Sequence, residues 1–135
     1  MTEPSTATKL VLSPDDDPRD AEFLAYWGRV IDWSDPAAGH WLEHFRLRVG
    51  ECRKMADEIE RVRPVRDLRA LDVGCQTGAL CAVLGERGAK VTGVDTAEWL
   101  VEAARLRAKG WGVEGTFTVA KGEALPFEDQ SFDLV

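Results

Sequence analysis

The stretch LDVGCQTGAL, residues 71–80, places an apolar run directly before a glycine-containing turn, and a helical pattern directly after it. A short apolar run of this kind is typical of a buried strand that enters a helix. Gly74 and Gly78 let the backbone turn tightly and come close to a ligand without a Cβ in the way. The stretch therefore predicts a strand, a ligand-holding loop and a helix.

The same alternation continues towards the C-terminus. Further strands are predicted at KVTGVD (90–95), GTFTVA (115–120) and the start of a fourth at SFDLV (131–135). Helical patterns separate them, at 77–88 and 97–110. Gly88 predicts the end of the first helix, and Thr96 predicts the N-cap of the second. Strands that alternate with helices at this spacing indicate an α/β fold, a Rossmann-like doubly wound parallel sheet.

The residues before the sheet divide into a tail and a helical segment. Residues 1–20 are rich in Thr, Ser, Pro and Asp, which predicts a flexible N-terminal tail. Residues 21–64 predict a helical segment, with apolar residues at helical spacing over 21–33 and 40–62. The sheet domain is then expected over residues 65–135.

The net charge of the chain indicates which classes of partner are disfavoured. The 135 residues carry a formal net charge of −7, and an acidic surface repels phosphate backbones and anionic lipid headgroups. We therefore expect no nucleic-acid partner and no membrane partner. The arginines Arg61, Arg63, Arg66 and Arg69 are interpreted as a solvated helix end and loop.

The cysteines and histidines indicate whether a disulfide or a metal site is expected, and in which compartment the protein is located. The three cysteines, Cys52, Cys75 and Cys81, have neither CxxC nor zinc-like spacing, so neither a disulfide nor a metal site is expected. His40 and His44 lie four residues apart without a third ligand at suitable spacing, and are interpreted as surface or interface residues. With no secretory pattern and no apolar run of about 20 residues, a cytoplasmic protein is predicted.

Asp95 ends the second predicted strand. In an open parallel sheet, ligands bind beyond the carboxyl ends of the strands, where the glycine loop also lies. A carboxylate at this position can accept hydrogen bonds from the two vicinal hydroxyls of a ribose. The strand, the glycine turn and Asp95 together indicate an adenosine-containing cofactor; the alternative is that Asp95 only caps the next helix.

Two phosphate-binding loops are disfavoured. The dinucleotide fingerprint is G-x-G-x-x-G, whereas the sequence from Gly74 reads GCQTGA and lacks the second and third glycines. A Gly-Lys-Ser/Thr phosphate loop is absent too. An NAD-binding Rossmann protein is therefore the less favoured alternative.

Three stretches, in order, resemble the class I S-adenosylmethionine-dependent methyltransferases. LDVGCQTGAL resembles the family's motif I, and VTGVDTAEWLVEAAR resembles its second strand with the ribose-binding acid. AKGEALPFEDQSFDLV is similar to a stretch of the small-molecule branch that includes the ubiquinone and menaquinone biosynthesis methyltransferases. The resemblance implies S-adenosyl-L-methionine as cofactor, a small-molecule methyl acceptor and a sheet of strand order 3-2-1-4-5-6-7. Residues 65–135 would be the N-terminal half of such a domain.

The resemblance also implies roles for individual residues. Asp72 would help to orient the methionine amino group, and Asp95 would hold the ribose hydroxyls. The remaining cofactor-binding positions are the loop residues Gly74, Cys75, Gln76 and Gly78, with Thr96, Gly122 and Glu123 beside the adenine. No catalytic residue is assigned, and Tyr26, Trp33 and His44 in the N-terminal helices are interpreted as packing residues.

Two positions depart from the family pattern. Gln76 replaces the middle glycine of motif I. With φ below zero its side chain can point away from the ligand, whereas a positive φ would cost on the order of 1 kcal/mol or more in backbone strain. Lys121 replaces the acid that accepts from the adenine amino group, and an ammonium group has no acceptor. These departures motivate a second hypothesis, a non-catalytic or degenerate partial domain that acts through protein contacts.

The predicted fourth strand reaches the end of the chain, whereas the resemblance implies seven strands. We therefore expect a fold truncated after about four strands, either a fragment of a longer protein or a domain that a partner completes. An exposed sheet edge of this kind makes self-association possible.

Overall fold

The structure is a computed structural model and describes residues 13–135. A short 3₁₀ turn at Pro18–Asp20 precedes the helices α1 (Ala21–Val30) and α2 (Ala38–Val62). The chain then alternates, with β1 (Arg69–Val73), α3 (Ala79–Glu86), β2 (Lys90–Asp95), α4 (Glu98–Gly110) and β3 (Gly115–Val119). The predicted α/β architecture is confirmed; β2 has its predicted bounds, and β3 ends one residue before its predicted end.

The three strands form one parallel sheet in the order β1-β2-β3. Arg69 pairs with Lys90 and Val73 with Val94, so β1 and β2 end side by side. Parallel strands turn their carboxyl ends towards the same edge of a sheet. The loop after β1 and the last residue of β2 are therefore neighbours.

The predicted fourth strand is present as a single parallel bridge, between Ala70 and Leu134. The Leu71 N–H donates to the carbonyl of Leu134 at 2.9 Å, and the Asp133 N–H donates to the carbonyl of Arg69 at 2.8 Å. Since β2 occupies one side of β1, this segment lies on the other. The order of the four segments is the 3-2-1-4 that the resemblance implies.

The start of α4 differs from the prediction that Thr96 caps it. The N-cap residue is Ala97, with no side-chain hydrogen bond of its own. The Ala97 N–H instead donates to Oδ1 of Asp95 at 3.2 Å. The Thr96 prediction was wrong because the helix begins one residue later than predicted, so that Ala97 and not Thr96 is the N-cap residue. At the end of α3, Gly88 has φ +96°, as expected for a glycine that terminates a helix.

Two apolar clusters hold these elements together. The larger lies between the sheet and the helices α2, α3 and α4, and includes Val65, Val83, Val91, Val101 and Phe117. The smaller joins α1, α2 and α4, and consists of Phe23, Leu24, Trp27, Phe45 and Ala103. The N-terminal helical segment is thus packed directly against the sheet domain.

The predicted tail over residues 1–20 has two parts. Residues 1–12 lie outside the described residues. Residues 13–20 contain a turn and the 3₁₀ turn, and Asp20 is only 7% exposed because Arg107 and Trp111 both hydrogen-bond to it. Composition did not indicate this arrangement, since the partners of Asp20 lie 87 and 91 residues further along the chain.

The long helix α2 buries part of the apolar stripe predicted for it. Phe45 and Cys52 are buried, whereas Trp41 is 44% and Met55 is 42% exposed. Among residues 13–135, none of the helices is both long enough and apolar enough to cross a membrane.

The smaller cluster should contribute strongly to stability. Phe45 is 3% exposed and packs edge-on against Trp27 with ring centroids 5.5 Å apart. Phe45→Ala should lower the free energy of unfolding by about 3–5 kcal/mol, since it removes a buried aromatic ring and leaves a cavity. Chemical denaturation measures the change.

Leu47 on the same helix is the matched control. Its side chain is 63% exposed, so Leu47→Ala should change stability by about 0.5 kcal/mol or less. Equal effects of the two substitutions would contradict the packing of α2 described here.

Candidate functional site

The loop after β1 is fastened to the end of β2 by backbone hydrogen bonds. The N–H groups of Gly74 and Cys75 both donate to the carbonyl of Val94, at 2.8 and 2.9 Å. The Gly78 N–H closes the turn by donating to the carbonyl of Cys75 at 2.9 Å. The loop therefore has a defined shape at the carboxyl edge of the sheet.

The loop bends through three residues with left-handed backbone conformation. Gly74 has φ 77°, Gln76 has φ 49° and Gly78 has φ 75°. A glycine adopts such values without steric cost, whereas a residue with a Cβ does not. Of the two conformations considered for Gln76, the structure has the strained one.

Gly78 also permits a close contact between two helices. A Cβ at this position would lie 2.9 Å from the Cβ of Ala104 on α4. Gly74, by contrast, has open space where its Cβ would stand. The first glycine of the loop faces a free volume, and the last one allows α3 to approach α4.

Asp95 connects the loop to the start of α4. Its Oδ2 accepts from the Gln76 N–H at 3.0 Å, and its Oδ1 accepts from the Ala97 N–H at 3.2 Å. An ionised carboxylate offers about four acceptor positions, so about two remain for a ligand. The contact of Asp95 with the residue before α4 is therefore compatible with the binding role considered for it.

Asp72 is a half-buried carboxylate near the end of β1. Burial raises its pKa above the usual value, the Arg48 charge opposes this, and the Asp95 charge adds to it. Within residues 13–135, the donor that reaches the carboxylate is the Cys81 thiol, whose sulfur lies 4.0 Å from Oδ2. A thiol is a weak donor, so Asp72 retains capacity to pair with a cationic or N–H-bearing ligand.

The cysteines around the loop are buried and protonated. Burial, together with the charges of Asp72 and Asp95, raises the pKa of Cys75 to about 12. Burial also raises the pKa of Cys81 well above its usual value. A thiol in this state is a weak nucleophile, so both act as small packing residues.

The segment after β3 reaches the same edge of the sheet. The Ala120 N–H donates to the carbonyl of Asp95 at 3.0 Å. A Cβ on Gly122 would lie 3.5 Å from Cγ1 of Val73, so Gly122 lies beside the end of β1. Thr96, Lys121 and Glu123 are exposed here. The structure thus brings the sequence-predicted positions to one edge, while their contact with a ligand stays a prediction.

Of two cavities in the protein, one borders this edge of the sheet and the other lies apart from it. An apolar pocket of 230 Å³ borders Asp72 and is lined also by Met55, Ile59, Leu80 and Cys81. A groove of 780 Å³ lies elsewhere, between residues 13–20 and α2, with Arg107 in its lining. Of these two cavities, the apolar pocket is the one that borders the predicted site residue Asp72.

Aromatic contacts surround Trp33, which follows α1, and the two histidines of α2. Trp33 packs on Trp27 with centroids 5.5 Å apart, and its Nε1 donates to the carbonyl of Gly28 at 2.9 Å. His40 and His44 flank the Trp41 ring, at 6.2 and 6.0 Å. In the part of the chain that the structure describes, no three His, Cys, Asp or Glu side chains are grouped so that they could hold a metal ion.

Sequence reasoning missed two residues that support the loop. Thr77 is 1% exposed, and its Oγ1 accepts from Nη1 of Arg107 at 2.8 Å. A buried arginine on a helix cannot be recognised from periodicity alone, because long charged side chains normally face solvent. The pairing of Arg107 with an acid and a hydroxyl far away in sequence was the missing information.

Comparisons with a family model and with curated proteins both match methyltransferases. The family described as "Methyltransferase domain" matches residues 70–135. The chain is 32% identical over 113 residues to a ubiquinone biosynthesis O-methyltransferase of Sinorhizobium fredii. The match covers 78% of this chain and 46% of that protein. It spans about half the length of the curated relatives it matches.

Solved structures also resemble part of this chain. The YcgJ protein of Bacillus subtilis is 31% identical, with a TM-score of 0.52, over 64% of this chain and 35% of that one. The tRNA (uracil-54, C5)-methyltransferase of Pyrococcus abyssi, in complex with S-adenosyl-L-homocysteine, is 26% identical with a TM-score of 0.53. That likeness covers 66% of this chain and 21% of the other.

The strain at Gln76 gives a testable change in stability. Gln76→Gly should raise the free energy of unfolding by up to about 1 kcal/mol, because glycine accepts a positive φ, although its greater freedom in the unfolded chain offsets part of the gain. Gln76→Ala is the control, since it removes the side chain but keeps the strain. Thermal and chemical denaturation that show the same gain for both variants would contradict a backbone origin.

Asp72 should make stability depend on pH. Because its pKa is raised in the folded state, the folded protein binds this proton more tightly than the unfolded chain does. Its contribution is therefore favourable at low pH and is lost as the pH rises through the folded-state pKa. Asp72→Asn should raise stability at neutral pH, with a gain that shrinks in acid, as measured by denaturation at several pH values.

Asp133 provides a control of opposite sign. Hydrogen bonds from Arg69 hold the pKa of Asp133 down to about 2, so its contribution is present above the unfolded pKa and is lost as the pH falls through the folded one. Asp133→Asn should lower stability at neutral pH. Two variants that shift stability in the same direction would contradict the assigned environments.

Proposed function

Residues 70–135 belong to the class I S-adenosylmethionine-dependent methyltransferases, and from this premise we propose that the protein transfers a methyl group from S-adenosyl-L-methionine to a small-molecule acceptor. The observation that carries the proposal is the contact between the glycine loop and Asp95. It brings an acceptor for vicinal hydroxyls to the position where a parallel sheet binds its ligands.

The arrangement of charges fits this cofactor. The free acceptor positions of Asp95 suit the two ribose hydroxyls, and the open space at Gly74 leaves room beside the loop. Asp72, with a weak thiol donor as its hydrogen-bond partner within residues 13–135, suits the ammonium group of the methionine part. Backbone groups of Cys75, Gln76 and Gly78 would line the ligand between the two carboxylates.

The adenine is proposed to lie against the segment after β3. Thr96 and Gly122 would border the ring, and Glu123 could accept from its amino group. Lys121 cannot do so, because an ammonium group donates only. Adenine recognition would therefore depend on backbone groups and on Glu123.

Methyl transfer asks mainly for alignment. When bound, the cofactor supplies an activated methyl group: an acceptor lone pair forms the new bond to carbon, while the electrons of the carbon–sulfur bond stay on sulfur. The residues of this chain bind and orient the donor, which lowers the entropic part of the barrier. Where the acceptor must lose a proton, the proton passes to solvent or to a base. None of the described residues is assigned as that base.

The methyl acceptor is proposed to be a small molecule, and the protein is proposed to be located in the cytoplasm. Support comes from the curated relatives, which are named for ubiquinone biosynthesis. A net charge of −7 argues against a nucleic-acid or membrane surface as partner. The free thiols Cys52, Cys75 and Cys81 suit a reducing compartment. Self-association through a sheet edge stays a prediction.

One observation favours a second candidate function. The strained conformation of Gln76 is what a degenerate site would contain, and it keeps open the hypothesis of a non-catalytic partial domain that acts through protein contacts. Titration with S-adenosylhomocysteine separates the two candidates. Binding supports the first, whereas no binding by a folded protein supports the second; preferential binding of NAD would favour the dinucleotide alternative.

Asp95 is the residue on which the proposed site depends most. Asp95→Ala should weaken S-adenosylhomocysteine binding at least about tenfold, because it removes the acceptor of two ribose hydroxyls. Asp95→Glu should recover only part of the affinity, since the longer side chain displaces the carboxylate. Isothermal titration measures both.

Glu98, three residues further on, is an exposed acid in the first turn of α4 and serves as the control. Glu98→Gln should bind like the wild type. Because Asp95 also accepts from two backbone N–H groups, its alanine variant should unfold at a somewhat lower temperature. Unchanged affinity in a folded Asp95→Ala variant would mean that the ribose lies elsewhere.

A further inference from the structure

A buried network joins the N-terminal helical segment to the glycine loop. Arg107 on α4 is 1% exposed, and its Nε donates to Oδ1 of Asp20 at 3.1 Å. Its Nη1 donates to Oγ1 of Thr77 at 2.8 Å and lies 3.4 Å from the Thr77 carbonyl oxygen. One guanidinium thus contacts both the residue that precedes α1 and a residue inside the loop.

The position of this guanidinium depends on α1. A buried charge is tolerated only where close partners offset the loss of water. Arg107 stacks on the Phe23 ring of α1 at 4.0 Å, and Asp20 also accepts from Nε1 of Trp111 at 2.7 Å. Because arginine stays charged in proteins, undocking α1 would leave Arg107 without its counter-charge.

The position of the loop depends in turn on Arg107. Thr77 stands between Gln76 at φ 49° and Gly78 at φ 75°. Gly78 adopts this conformation readily, but the left-handed conformation of Gln76 does not follow from local backbone preference, because Gln76 carries a Cβ. Thr77 is 1% exposed, and both of its polar oxygens face the guanidinium. The arginine is placed to hold the loop in a path that it would not keep alone.

We propose that Arg107 is a positioning residue for the cofactor: docked Asp20 orients Arg107, and Arg107 holds Thr77 and with it the loop that contacts Asp95. The inference rests on the proposed function. Docking of α1 and binding of the cofactor are then coupled, so that each strengthens the other.

A surface ion pair supplies the contrast. Nζ of Lys109 lies 3.4 Å from Oε2 of Glu22, and these side chains are 72% and 56% exposed. This pair also joins α4 to α1, but it has no contact with the loop. Its loss tests docking at the surface without a change in the hydrogen bonds of Thr77.

The central experiment replaces the Thr77 hydroxyl in the protein. Thr77→Val keeps the shape and removes the acceptor, and it should weaken S-adenosylhomocysteine binding at least about fivefold in isothermal titration. Thr77→Ser restores the hydroxyl and should return the affinity to within about twofold of the wild type. Glu22→Gln should bind like the wild type.

Amide hydrogen exchange at residues 74–78 is the second readout. It should be faster in Thr77→Val than in Thr77→Ser or Glu22→Gln, because the loop has lost its support. A Thr77→Val variant that is folded, binds like the wild type and exchanges at the same rate would overturn the inference.

Asp20→Asn tests the coupling to α1. If Asp20 acts through Arg107 and Thr77, the variant that carries both Asp20→Asn and Thr77→Val should bind no more weakly than the poorer single variant. Losses that multiply would contradict the proposed chain of contacts. Should Asp20→Asn not fold, Trp111→Phe replaces it in the cycle, since it removes one donor to the same carboxylate and leaves the ion pair.

Failure of the proposed function can be distinguished from failure of the inference about Arg107. A wild type that does not bind S-adenosylhomocysteine refutes the function, and hydrogen exchange alone then decides whether Asp20 and Thr77 control the loop. A wild type that binds, with variants that bind equally well and exchange equally slowly, refutes only the role of Arg107.

Discussion

The hydrogen bond from the Gln76 N–H to Oδ2 of Asp95, 3.0 Å long, joins the two parts of the chain on which the site depends. Parallel pairing of β1 and β2 brings the loop and Asp95 to one edge, and this bond fixes their relative positions. The loop gains a rigid shape, and the carboxylate gains an orientation that leaves acceptor positions free. Together with the hydrogen bonds from Gly74 and Cys75 to the carbonyl of Val94, this contact places a carboxylate with free acceptor positions beside the glycine loop.

Several features around this contact oppose stability. Gln76 adopts a left-handed conformation, Asp72 is half-buried beside a weak donor, and Arg107 is a charge inside the protein. Strained backbone and buried charge collect at functional sites because the surrounding structure can hold them there. Here the surrounding structure includes the N-terminal helices, which supply Asp20 and Phe23 to Arg107.

Sequence patterns predicted the parts of the fold that depend on local order. β2 has the predicted bounds, the glycine loop follows β1, and Asp95 lies beside that loop, since all three depend on apolar runs, glycines and strand pairing. Membership of the methyltransferase family was recognised from the same motifs and is confirmed. The roles predicted for the individual site residues stay predictions.

Sequence patterns failed where a residue's environment depends on distant partners. Asp20 was assigned to a flexible tail because its neighbours are polar, yet it is buried against Arg107, 87 residues away. Thr96 was assigned as a helix cap because of its type, whereas Asp95 accepts the hydrogen bond. Neither composition nor periodicity contains the pairing of Asp20 with Arg107, which the packing of α1 on α4 creates. The error at Thr96 is local instead, since Asp95 lies two residues before Ala97, from whose N–H it accepts.

The most direct test of the account is a crystal structure of the protein with S-adenosylhomocysteine bound. The account predicts both ribose hydroxyls at hydrogen-bonding distance from the Asp95 carboxylate, about 2.5–3.0 Å between oxygens, with the amino group of the homocysteine part directed towards Asp72. A nucleoside bound at another surface, or a ribose held by other residues while Asp95 keeps only its backbone contacts, would contradict it.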